Sequence, residues 1–174
     1  MRRFILPFLV GVLLLTLQTT LLTSLPLRRF RPDLVLIFII YLGLLYPPIS
    51  GGLLAFTLGY LMDLFSGNSL GLFAFSRPVI FYLAQFFKGR FYLDNFSSQF
   101  LSVLIFTLFE GLMILSLLTV LNPRPLDHLY PILLTCFLPQ SFSTGLVTPF
   151  LFSLFNKGSS LIFLQHEMGI KERG

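Results

Sequence analysis

The chain has no tryptophan, one cysteine (Cys136), two histidines and little charge; only 11% of its 174 residues are Asp, Glu, Lys or Arg. Each shortage excludes something. A soluble domain needs a polar shell, and carries roughly 25% charged residues to build it. A single cysteine rules out an internal disulfide. His128 and His166 are far apart, with no HxxxH or CxxC spacing, so no metal site is expected. Ser141 and Ser143 lack a histidine or acid at a telling spacing, and the glycines interrupt apolar runs instead of following a strand. Neither a nucleophilic triad nor a phosphate loop is therefore indicated. No catalytic residue, cofactor or nucleic-acid partner is expected.

What is present is apolar. Hydrophobic residues make up 55% and there are 22 phenylalanines. Disordered chains are polar and charge-rich, so disorder is excluded too. The net charge of +5 comes from basic residues set singly or in small groups between apolar runs, as at membrane-facing loops. The runs are residues 4–25, 34–46, 49–65, 72–87, 100–121 and 129–155, followed by a polar tail over 156–174. A helix crossing the hydrocarbon core needs about 20 apolar residues. The first run is too long for a secretory signal and lacks a small-x-small cleavage site before Arg28, Arg29 and Arg31. The runs are apolar on every side, without the alternation of barrel strands. The expected fold is all-α: one domain, a polytopic integral membrane bundle of about six transmembrane helices in a lipid bilayer.

Orientation follows from the basic residues. Six helices with the N-terminus inside place seven Lys and Arg inside and four outside. Fusing residues 34–65 into one helix, with the N-terminus outside, gives eight against three. The pair Pro47-Pro48 followed by Ser50-Gly51-Gly52 nevertheless reads as a turn, because proline removes a helix hydrogen bond and clashes with the preceding turn. Tyr46, Tyr92 and Tyr130 near run ends read as interfacial anchors.

Several residues stand out in the runs. Gly51, Ala55, Gly59 and Asp63 recur every fourth position and share one helix stripe. In lipid such a stripe serves close helix packing within the chain or a groove for a partner helix. Asp63 and Arg77 flank a short turn, so they are expected near one membrane face. Two roles are open to Asp63: an interaction with Arg77, or hydrogen bonds to backbone N–H groups of the 66–71 turn. Glu110 lies mid-run beside Gly111 with no cation nearby in sequence. It reads either as part of a proton or ion path, or as a protonated acid hydrogen-bonded to Ser, Thr or Gln on another helix, with Gln18 and Gln140 as candidates.

Residues Arg31 to Arg90 open with Arg-Pro-Asp before an apolar run. They continue through a glycine-rich run ending Gly-x-x-x-Asp-Leu-x-Ser-Gly, and then Leu-Gly opens the next. This order, carried by Pro32, Asp33, Gly52, Gly59, Asp63, Ser66, Gly67, Leu70 and Gly71, resembles the rod shape-determining MreD family. The resemblance implies a multi-pass protein of the bacterial inner membrane with both termini cytoplasmic. It also implies a non-enzymatic scaffold or regulator of the cell-elongation machinery in sidewall peptidoglycan synthesis. The implied partners are an MreC-like protein and, through it, MreB, RodA and a class B penicillin-binding transpeptidase. The family fold is similar to the substrate-binding subunit of energy-coupling-factor vitamin transporters, which supplies an alternative function. A vitamin site needs several polar groups converging in an apolar pocket, and the runs offer few. Pro32, Asp33, Gly51, Ala55, Gly59, Asp63, Gly67, Gly71, Arg77 and Glu110 are the structural or partner-binding candidates.

Overall fold

The computed structural model describes residues 2–24, 32–66, 71–88, 96–121, 135 and 137–171. Among these residues there are six helices and no strand: α1 (Arg2–Ser24), α2 (Leu34–Leu45), α3 (Pro48–Ser66), α4 (Leu72–Phe86), α5 (Phe96–Leu121) and α6 (Leu138–Lys171). Two stretches, Pro48–Ser66 and Phe96–Val120, are long and apolar enough to cross a membrane. Phe4–Thr20, Leu34–Leu45 and Leu72–Phe86 are apolar but shorter.

The centre of the fold is α2, and its start follows from Asp33. The Asp33 backbone is extended, and its side chain accepts a hydrogen bond from the N–H of Leu36 at 2.9 Å. That satisfies one of the donors a helix start leaves unpaired. At the far end the chain breaks after Tyr46 and resumes helix at Pro48, where proline's fixed φ and missing N–H suit a first turn. All ten residues from Val35 to Leu44 are buried. A helix apolar all round belongs inside a bundle, and α2 packs on each of the other five helices. Leu36, Ile37, Ile40, Tyr41 and Leu44 meet Ile80, Phe106, Leu151 and Phe152 on one side. Val35, Phe38, Ile39 and Leu42 meet Leu15, Leu54, Leu58 and Phe81 on the other. Around α2 the order is α1, α3, α4, α5, α6, and the closest pairings are α3 with α4 and α5 with α6.

The α3–α4 seam explains the small-residue stripe. A methyl group at Gly59 would strike the backbone carbonyl of Phe73, and one at Gly51 would strike the Phe81 ring. Ala55 is buried beside them. Of the two uses open to Gly51, Ala55 and Gly59, packing within the chain is the one observed; α4 fills the face that a partner helix would need. Gly71 starts α4 with φ of 100°, a backbone conformation glycine adopts without strain.

The C-terminal part differs from the sequence expectation. The tail expected over 156–174 is helical as far as Lys171, so α6 has 34 residues and extends about 51 Å. The apolar run ends near Asn156, but the helix continues, because the residues to Lys171 contain no proline and include good helix formers. Of the residues singled out above, Arg28, Arg29, Arg31, Gly67, Leu70, Arg90, Tyr92, His128, Tyr130 and Cys136 lie outside the described residues.

Candidate functional site

The exterior and interior are inverted relative to a soluble protein. Exposed side chains include Leu9 and Leu13 of α1, Leu53 and Phe56 of α3, Ile105 and Leu112 of α5, and Phe150 of α6. Inside, Asp33, Asp63, Arg77 and Glu110 are 3, 1, 0 and 4% exposed. Buried ionisable groups are costly unless paired and hydrogen-bonded, so their partners decide what the site is.

Arg77 is the hub. One guanidinium nitrogen, Nη2, donates to Asp33 Oδ2, and the other, Nη1, donates to Glu110 Oε2 at 3.2 Å. The Phe73 ring lies beside the guanidinium, its centroid 5.3 Å from Cζ. Arg77 Nε is buried without a hydrogen-bond partner. Ser76 Oγ lies 3.0 Å from Glu110 Oε1. The backbone N–H of Asp33 donates to Thr144 Oγ1 at 3.1 Å. Thr144 in turn donates to the carbonyl of Gln140. The cluster thus ties the N-terminus of α2 to α4, α5 and α6. All its ionisable side chains point into the bundle, and its chemistry is electrostatic fastening.

Asp63 has a separate task. Its Oδ2 accepts from the N–H groups of Gly71 and Ala74 at 3.1 and 2.8 Å, and its Oδ1 accepts from Phe73 at 3.0 Å. It therefore caps α4 from the end of α3, where negative charge also meets the positive end of the helix dipole. Among the described residues Asp63 makes no ion pair with Arg77; that expectation gives way to the backbone role, carried by the first N–H groups of α4. For Glu110 the neighbours are Arg77 and Ser76: a serine on another helix stands where one was expected, and neither Gln18 nor Gln140 does. Gln18 instead accepts from the N–H of Val35 at 3.3 Å, assisting the start of α2. Pro32 is half-buried just before the Asp33 cap.

Sequence reasoning missed Ser76 and Thr144. Ser76 adjoins the only arginine inside an apolar run, which is a usable signal; nothing in the sequence marks Thr144. It also missed the pairing of Arg77 with Asp33, although an aspartate directly before an apolar run is a helix-start signal.

A family model for the rod shape-determining protein MreD matches residues 2–158. The chain belongs to the MreD family. No curated protein and no solved structure matches it significantly. Membership implies a role in rod shape determination, and together with the apolar helices it identifies a membrane protein. The matched region contains every residue of the charge cluster, so the cluster belongs to the MreD-like body of the chain.

Proposed function

We propose that this MreD-family chain is a non-enzymatic membrane scaffold of the cell-elongation machinery, supporting sidewall peptidoglycan synthesis. In this reading it crosses the bacterial inner membrane six times with both termini cytoplasmic. It binds an MreC-like protein, and through it MreB, RodA and a class B penicillin-binding transpeptidase. The observation that carries the reading is the family match over residues 2–158.

The geometry supports it. Asp33, Asp63, Arg77 and Glu110 are all engaged inside the bundle, and the outward faces of α1, α3 and α5 are rich in Leu, Ile and Phe. Association between helices in lipid rests on van der Waals packing and interhelical hydrogen bonds. A partner therefore meets outward helix faces and connecting segments, not the glycine stripe or Glu110. The test is depletion in a rod-shaped host, with affinity purification of the tagged chain from native membranes. Rounded cells with misplaced sidewall synthesis and a co-purifying MreC-like protein are expected. Normal cell shape after deletion would overturn the reading.

A further inference from the structure

The hydrogen bonds at the three buried carboxyl groups are not alike. Asp63 offers both oxygens to backbone N–H groups of α4. Asp33 offers Oδ1 to the N–H of Leu36 and Oδ2 to Arg77. Every oxygen of these two groups faces a donor that cannot accept, so none of these hydrogen bonds can be turned round.

Glu110 differs. Its Oε2 faces Arg77 Nη1, which a carboxylate or the carbonyl oxygen of a neutral acid accepts equally well. Its Oε1 faces Ser76 Oγ at 3.0 Å, a hydroxyl able either to donate or to accept. Among the described buried carboxyl groups this is the one oxygen whose side-chain or backbone partner can itself accept a hydrogen.

Charge counting leads to the same atom. Arg77 is matched by Asp33, and Asp63 by the positive end of α4. Thr144, facing Asp33 from α6, brings no charge. Among the described residues, an ionised Glu110 would leave the one Arg77 facing two carboxylates, and an unbalanced buried charge is costly. We propose that Glu110 is a proton-binding site, its neutral carboxyl donating from Oε1 to Ser76 Oγ while Oε2 accepts from Arg77. The step is acid–base only. One O–H bond forms at Oε1, and bulk water supplies the proton and takes it back. The site stands on the cluster geometry and does not depend on the scaffold reading.

The experiment is infrared spectroscopy of the full chain in lipid nanodiscs at neutral pH. The wild type is expected to show the C=O stretch of a protonated carboxyl, displaced on exchange into D2O. Glu110→Gln, whose amide donates to Ser76 and accepts from Arg77 in the same places, is expected to lose this band and keep the wild-type melting temperature. Ser76→Ala is expected to keep the band at a shifted frequency, because the donor loses its acceptor. Absence of the band in the wild type, or its persistence in folded Glu110→Gln, would overturn the proposal.

Discussion

The two ends of α2 are built from different chemistry. At the Asp33 end, a carboxylate caps the helix and meets Arg77, and the first polar contacts of α5 and α6 follow through Glu110 and Thr144. At the Tyr46 end two neutral hydrogen bonds join the helices. Gln85 Nε2 donates to the carbonyl of Tyr46 at 2.9 Å, and the Tyr41 hydroxyl donates to Asn156 Oδ1 at 3.0 Å. Aromatic rings pack beside them, with Phe152 and Phe155 of α6 against Tyr41. The difference teaches where failure is expensive. A neutral hydrogen bond contributes about 1 kcal/mol and its loss is local. A buried charge network contributes little net stability when complete, yet loses about 3–5 kcal/mol when one partner is removed, because the others remain buried and unmatched.

Arg77→Met breaks the charged end most severely, by stranding Asp33 beside Glu110. We expect a loss of about 3–5 kcal/mol, read as absence of folded protein from membranes or collapse of thermal stability in detergent. Restoring the charge count tests the cause. Asp33→Asn combined with Arg77→Met is expected to lose less than the sum of the singles, with a coupling of about 0.5–3 kcal/mol in a double-mutant cycle. The corresponding cycle between Asp63 and Arg77 is expected to give a smaller coupling, because those groups share no hydrogen bond. A coupling as large as that of Asp33 would refute the division of labour between the two acids.

The seam next to that end comes second. Gly59→Ala puts a methyl group against the backbone carbonyl of Phe73, which no side-chain rotation relieves. We expect a cost of about 1–3 kcal/mol, as for overpacking. Leu53→Ala, at a position more than half exposed, is expected to be near-neutral by the same thermal assay. Asp63→Asn follows at about 1–2 kcal/mol, the range of a lost helix cap. Among the polar groups the smallest effect belongs to the neutral end. Tyr41→Phe removes the hydroxyl bonded to Asn156 and keeps the ring, so a loss of about 1 kcal/mol or less is expected. A Tyr41→Phe loss matching that of Arg77→Met would erase the contrast between the ends.

Much of the fold was readable where the signal is local. Pro47-Pro48 marks the break between α2 and α3, and the four-residue glycine spacing marks a close seam. Gly71 before an apolar run marks a helix start. The partners of the charged groups were not readable. Asp63 and Arg77 are near in sequence, but Asp63 is occupied by the N–H groups that begin α4. Arg77 meets α2 and α5 through Asp33 and Glu110, 44 and 33 residues away. Pairing over such distances depends on how each helix is rotated about its own axis. A helix apolar all round carries no stripe from which that rotation can be read. The end of α6 was missed for a related reason: apolar runs delimit burial, whereas helices end where caps or breakers end them.

The enclosure of α2 also constrains the order in which the chain can finish. It precedes α3 to α6 in the chain, yet Leu151 and Phe152, which complete its packing, belong to α6. A nascent chain that has produced α1 to α4 holds Ile40, Tyr41 and Leu44 with part of their sheath still unmade. Completion of the α2 core must wait for α6, so these helices cannot each be finished in the order in which they are made. A chain cut before α6 leaves its most apolar helix bare along one side, a natural mark for quality-control proteolysis.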